Sequence, residues 1–441
     1  MDSLMPRRQV LRTFALAATG AAVLGNAACG GGSSPSGADD KEFTYWSMWQ
    51  DGEPSAVVLK AAIEQFTKDT GIKVNVQWKG RKVVDQIAPT LNTHNVPADL
   101  IDSQDRFVKA TLFGTKQGLN LNSVYDLQIP GEGKKVADVI PAKYRDFATA
   151  DGQAWLVPYQ VLAEQIWYDG AALPGVTASP PKTWDEFVTL LGQRKAARGG
   201  GGPLALDGDI GDYNAFWTYH VILRDLGPGA FSAAATDKKG AKFDDPRMLA
   251  AVSKIEQLVK GGYFIKGYNG SKWPAIQQKW AGGQADFLLL GTFVPSETKS
   301  AAKAGFQYRS FPFPSGAAGD TSQEISLVGF AIPAKAKHAS AAQKFIAYFL
   351  NSSRLAGMSS TANNLTPRTD IAVPAVLADA KKTLDQARTV PALDGVKMDQ
   401  AEWYIKVFTP TNNEFLAGKL TAAAFLAKLK NTTADYWKVN G

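Results

Sequence analysis

The chain predicts an α/β protein with parallel sheets, whose mature part folds as two packed lobes. Three observations carry this. From position 41 onward about 400 residues remain, more than one ordinary core holds. Through that length, short apolar runs of period two alternate with amphipathic runs of period 3.6. Strand, helix, strand succession implies parallel pairing through right-handed crossovers, with ligands bound at the carboxyl ends of the strands.

The first 40 residues follow a different pattern. Positions 1–12, MDSLMPRRQVLR, are basic, and 13–25, TFALAATGAAVLG, are apolar but too short for a stable spanning helix. Ala27 and Ala28 are small enough for a signal peptidase, so 1–28 reads as an export signal peptide. Arg7-Arg8 followed by Gln9-Val10-Leu11 resembles a twin-arginine signal; the alternative is a general-route signal whose two arginines only supply charge. Cys29 is the single cysteine among 441 residues, which excludes an internal disulfide and a thiolate metal site. The segment GGGSSPSGADD at 30–40 has no apolar side chain to bury and reads, with Cys29, as a flexible tether over 29–40. Small residues ahead of a lone cysteine resemble the lipobox of bacterial lipoproteins. That resemblance implies acylation of Cys29 and anchoring to the outer face of the cell membrane, although Asn26 stands where those proteins usually carry leucine.

Composition narrows the function classes. The formal net charge is +7, of which Arg7, Arg8 and Arg12 against Asp2 supply two, and no basic cluster interleaved with aromatics marks a nucleic-acid surface. His94, His220 and His338 are far apart, leaving little material for a histidine metal site or a Ser-His-Asp triad. The 11 tryptophans suit buried packing or stacking on flat apolar faces.

Taken in order, 43–46 reads as the first strand. Ser55 is placed to cap a helix carrying Leu59, Ala62, Ile63 and Phe66 on one face, stopped by Gly71. Ile72, Val74 and Val76 alternate as a second strand, a helical pattern covers 83–91, and 98–101 is a short third strand. Thr183 and Glu186 in TWDE form a capping box that opens a helix with Phe187, Leu190 and Leu191. RGGGGP at 198–203 lacks the GK[ST] of a phosphate loop and precedes a strand at 204–206, so it reads as a loop. A helix around 249–259, strands at 286–290 and 325–332, a helix at 340–350 and alanine-rich helical patterns complete the chain. Trp184 and Trp217 sit on amphipathic patterns and are expected in the core.

Five segments in order carry a resemblance over most of the mature chain: FTKDTGIKVNV at 66–76, PADLIDSQDRF at 97–107, DGQAWLVPYQVLAEQIWYD at 151–169, PPKTWDEF at 180–187 and WAGGQADFLLLGTF at 280–293. Together they are similar to the extracellular solute-binding proteins (family 1) of bacterial carbohydrate ABC importers, in the maltose-binding-like branch. The resemblance implies a two-lobed periplasmic-binding-protein-like fold of type II, with crossing segments near 159–164 and 326–330 and hinge closure over a sugar. It implies lobe 1 over 41–158 and 326–368, and lobe 2 mainly over 159–325 and 369–441. It further implies a carbohydrate ligand, the membrane permease subunits of an ABC importer as partners, a monomer, contact with the membrane only through the lipid anchor, and neither nucleic acid, cofactor, metal nor catalysis.

Site residues follow from the same resemblance. Asp105 and Arg106 match groups that hydrogen-bond sugar hydroxyls, while Asp102 replaces a stacking tryptophan and Leu162 a ligand-binding glutamate. Tyr213 and Phe293 match stacking aromatics, and Trp403-Tyr404 matches a pair whose tryptophan is the main platform. The residue types also suit the chemistry: a pyranose offers a C–H face to aromatic rings and a hydroxyl rim to carboxylates and guanidinium groups. The loop after the first strand adds Trp49 and Glu53 as expected contacts. The rival class is a secreted glycosidase or lyase using Asp207, Asp209 and Asp212 of LDGDIGD, against which a turn or cleft-rim role is the expectation.

Overall fold

Phe43 and Tyr45 are fully buried on alternate positions of β1 (Glu42–Ser47). Helix α1 (Pro54–Thr70) follows, with Pro54 in the first turn, where a missing N–H costs no hydrogen bond. Its N-cap is Glu53 and not Ser55, whose hydroxyl lies inside the lobe and accepts from Asn364 Nδ2 at 3.1 Å. Gly71 ends the helix at φ 71°, a left-handed value that favours glycine. β2 (Lys73–Trp78) and β3 (Leu100–Gln104) pair in parallel on either side of β1. The helix expected over 83–91 is shorter, Val83–Ile87 followed by a 3-10 turn, because Pro89 lacks the N–H that would continue it. The short helix α2 (Asp105–Val108) leaves the end of β3. The computed structural model describes residues 41–441; the expected signal peptide, Cys29 and the tether lie outside the described residues.

Two long strands join the halves. β4 (Val157–Asp169) has every one of its 13 residues buried. Its first half pairs with the equally buried β8 (Gln323–Ala331), and its second half pairs with β6 (Phe287–Gly291) and β7 (Tyr308–Phe311), all antiparallel. The expected crossings at 159–164 and 326–330 fall inside β4 and β8. In lobe 2, β5 (Leu204–Ala205) pairs in parallel with β6 and the start of β8 pairs in parallel with a short strand over 389–391, beside the antiparallel pairs of β4, so that lobe's sheet is mixed. The reason is topological: β4 arrives along the crossing instead of through a helical crossover.

Helices flank these strands. α3 (Trp184–Ala197) begins at the expected capping box: Thr183 Oγ1 accepts from the amide of Glu186 at 3.3 Å, and the Glu186 carboxylate accepts from Thr183 N at 3.2 Å. α4 (Gly211–Leu226) and α5 (Pro246–Lys260) cover lobe 2, where Trp217, Phe264 and Phe313 pack edge to face. α6 (Ala339–Phe349) and α7 (Ser352–Ser360) return to α1, and Phe345 meets Phe43 and Phe66 in the lobe 1 core. α8 (Thr409–Leu416) and α9 (Ala422–Asn440) close against α4 and α5. Among the described residues no helix is long and apolar enough to cross a membrane.

Candidate functional site

The floor of the site is one face of the crossing strands. Successive side chains alternate along a strand, so Gln160, Leu162 and Glu164 of β4 share a face. The register sets Gln160 against Val328 of β8, and Val328 against Gln104 of β3, which brings Gln104 to the same face. These polar side chains are poorly satisfied. Gln104 Oε1, Gln160 Oε1 and Glu164 Oε2 are buried without a hydrogen-bond partner. Opposite Glu164 on β6 stands Gly291, where a Cβ would lie 2.4 Å from Cε1 of Phe293. The half-buried Phe293 ring therefore folds back across the strand beside Glu164, an approach that only glycine permits.

An ion cluster bridges the lobes above this floor. Asp212, in the first turn of α4, accepts from Arg106 Nη2 of lobe 1 at 3.4 Å, from the Tyr404 hydroxyl at 2.8 Å and from Lys397 Nζ. Burial alone would raise its carboxyl, but Lys397 and Arg106 hold it at about 2. Lys397 in turn is lowered to about 8 by burial and by Arg106. Lys109 and Asp399 form a second bridge between the same segments at 2.8 Å. Arg106 Nε is buried and unpaired.

The loop after β1 forms another wall. Trp49, 9 % exposed, donates from Nε1 to the Tyr159 hydroxyl at 2.8 Å, and Tyr159 donates to Asp102 at 2.6 Å. The Arg81 guanidinium lies 4.6 Å from the Trp49 ring centroid and bonds Glu53 at 2.8 Å. Across from them, burial raises the Glu297 carboxyl, which feels both Arg81 and Glu53 and accepts from Gln277 at 3.1 Å. Tyr213, half-buried, stacks on Phe216 with centroids 6.2 Å apart.

Several expected site residues therefore serve other purposes. Trp403 is 0 % exposed: its ring stacks on Phe408, meets Phe231 edge to face and donates to Thr433 at 3.1 Å, so it is a core residue and presents no platform. Tyr404 is 2 % exposed, and its hydroxyl is committed to Asp212. Asp105 turns away from the face, accepting from Leu327 N of β8 at 2.8 Å and from Arg106 N at 2.6 Å, with burial pushing its carboxyl up to about 6. Glu53 caps α1 and pairs with Arg81, and Trp49 has one face covered by that same arginine. Asp102 is buried and anchors Met48 N at 2.7 Å, consistent with its having no stacking role. Of the other expected residues, Arg106 is bonded to Asp212, and Tyr213 and Phe293 are half-buried.

The aspartates of the rival reading are also accounted for. Asp207 accepts from the amides of Ile276 and Gln277 at 2.8 and 3.0 Å, Asp209 from Trp273 N at 3.0 Å, and Asp212 belongs to the ion cluster. Among the described residues no group of three His, Cys, Asp or Glu side chains is placed to hold a metal ion. Sequence reasoning missed Gln104, Gln160, Glu164, Arg81 and Lys397. Only the strand residues left a signal: Gln160 and Glu164 are polar side chains four positions apart, on one face of an otherwise apolar run.

Two α/β lobes joined by crossing strands, with a polar face and half-buried rings between them, define a two-lobed binding-protein fold. The chain belongs to the bacterial extracellular solute-binding protein family, whose profile matches residues 52–353. It is 28% identical over 247 residues to the diacetylchitobiose binding protein NgcE of Streptomyces coelicolor, covering 55% of this chain and 50% of that protein. It is 25% identical over 229 residues to the multiple sugar-binding protein of Streptococcus mutans, covering 49% and 52%. The chain thus spans about half the length of the curated relatives it matches. Among solved structures, a chitin oligosaccharide binding protein superposes with a TM-score of 0.73 at 19% identity, covering 91% of this chain and 100% of the other. The bacterial solute receptor AcbH, with its exclusive preference for β-D-galactopyranose, does so with 0.73 at 17%, covering 90% and 100%. These two share the fold.

Proposed function

We propose that this chain is an extracytoplasmic carbohydrate receptor that captures a sugar or oligosaccharide between its lobes and delivers it unchanged to the permease of an ABC importer. One observation carries the reading: Gln160 and Glu164 present buried, unpartnered polar atoms on one face of the crossing strand β4, and the half-buried Phe293 ring lies beside Glu164 on that face. Unsatisfied buried polar atoms are costly, and a ring next to them matches the apolar face and hydroxyl rim of a pyranose. The names of the relatives, which bind diacetylchitobiose or multiple sugars, point the same way. In this reading lobe 1 comprises 41–158 and 326–368, lobe 2 mainly 159–325 and 369–441, and the receptor acts as a monomer.

Thermal melting in the presence of galactose, diacetylchitobiose or maltose tests the proposal. A ligand that binds only the folded form raises the midpoint, by about 2.7 kcal/mol of stabilisation at one hundred times its Kd. Chromatography should recover the sugar intact. No shift with any of the three, or a cleaved product, would sink the reading.

The receptor is held at the outer face of the membrane through acylated Cys29. Export by the twin-arginine or the general route supplies it there. Cys29→Ser should move the protein from the membrane to the soluble fraction, and retention at the wild-type level would rule the anchor out.

A further inference from the structure

We infer that Glu164 is a ligand-binding residue, the polar anchor that orients a neutral sugar lying against the Phe293 ring; this rests on the receptor reading. The geometry comes from the crossing itself. Glu164 stands at the point where β4 passes from its β8 pairing to its β6 pairing, directly opposite Gly291. Because the Phe293 ring lies over that glycine, ring and carboxyl are neighbours on one face. A pyranose stacked on the ring would place its hydroxyl rim within reach of Glu164. The side chain is 3 % exposed, yet its Oε2 has no partner, and Thr292 Oγ1 next along is also unpartnered.

The role is donation. The register that pairs Ile325 with Ala163 brings Glu324 of β8 beside Glu164, and two carboxyls adjacent in a dry interior do not both ionise. The other charged groups facing Glu164 are Arg106 and Asp105 from α2 and Asp212 from α4, and Arg106 is already engaged with Asp212. Burial pushes the Glu164 carboxyl up to about 8, so at neutral pH it carries a proton. A protonated carboxyl has one O–H to give, and a sugar oxygen accepts it. An unsatisfied buried oxygen destabilises the free protein, and the ligand removes that penalty.

Calorimetric titration of the mature chain with galactose, diacetylchitobiose and maltose, on three proteins, tests the inference. Glu164→Gln keeps the shape and a donor and should bind within about threefold of wild type, whereas Glu164→Leu should lose about tenfold or more. Wild-type affinity should fall between pH 6 and pH 9.5 as the donor ionises, and the Glu164→Gln profile should be flatter. Lys397, which titrates in the same range, is present in both proteins, so the difference between their profiles reports Glu164. This comparison stands even if Glu164→Leu fails to fold. Undiminished binding by Glu164→Leu, a Glu164→Gln loss as large as that of Glu164→Leu, or identical pH profiles would each overturn the inference alone. A wild-type chain that binds none of the three sugars overturns the receptor reading and this inference with it.

Discussion

Asp212 and Glu164 are both carboxyl groups between the lobes and Glu164 senses the charge of Asp212, yet they sit on opposite sides of neutral pH, at about 2 and about 8. Burial acts on both in the same direction. What differs is the company each keeps. Asp212 opens helix α4, whose amide dipoles favour an anion, and it is met by Arg106, Lys397 and the Tyr404 hydroxyl. Glu164 lies on a strand with another glutamate beside it and no cation bonded to it. One carboxyl has its partners within the protein and fastens the lobes together. The other lacks a partner at one oxygen and is left to meet a ligand. Depth of burial alone does not predict whether an acid is structural or available; the neighbouring charges decide.

The largest expected effect lies behind the Asp212 side. Trp403→Ala removes an indole packed on Phe408, which also supports Tyr404, and should cost about 3–5 kcal/mol in urea denaturation. An unchanged unfolding midpoint with lost sugar affinity would return Trp403 to the ligand platform.

Next comes Asp212→Ala, which strands Arg106 and Lys397. Complete burial would make this cost about 3–5 kcal/mol, but the three side chains are between 15 and 23% exposed, so a loss of about 2–3 kcal/mol is expected. The matching change on the other side, Glu164→Gln, should cost under about 1 kcal/mol, since a neutral amide replaces a neutral acid. Equal losses measured by thermal unfolding would erase the contrast between the two carboxyls.

The smallest and most diagnostic effect is the shape of the pH profile. Asp212, lowered from 3.8 to about 2, contributes stability that is present above pH 3.8 and lost as pH falls through 2. Glu164, raised from 4.5 to about 8, contributes stability that is fully present below pH 4.5 and lost as pH rises through 8. Melting temperatures from pH 2 to pH 9.5 should therefore decline at both ends. Asp212→Asn should flatten only the acid limb and Glu164→Gln only the alkaline one. A Glu164→Gln profile with an undiminished alkaline decline would contradict the assignment.

Neighbouring residues illustrate how far the sequence was legible. The strand periods, the Thr183 capping box, the left-handed stop at Gly71 and the burial of Trp184 and Trp217 depend on contacts within a few residues or on a simple apolar face, and they appear where expected. Asp105 and Arg106 are adjacent, yet one bonds the backbone of a strand more than 200 positions away and the other reaches across the cleft. Trp403 and Tyr404 diverge in the same way. Which of two neighbouring side chains faces the cleft depends on how a helix is turned against a partner distant in the chain, and no local period records that turn.

By itself the sequence determined the α/β class and the alternation of elements, because hydrophobic period and turn chemistry act over a few residues. Only the tertiary structure decided that Asp212 would be ionised and Glu164 neutral. That outcome depends on Arg106, Lys397 and Glu324, groups drawn from separate parts of the chain, whose effect on a carboxyl exists only once folding brings them within a few ångströms in a dry interior.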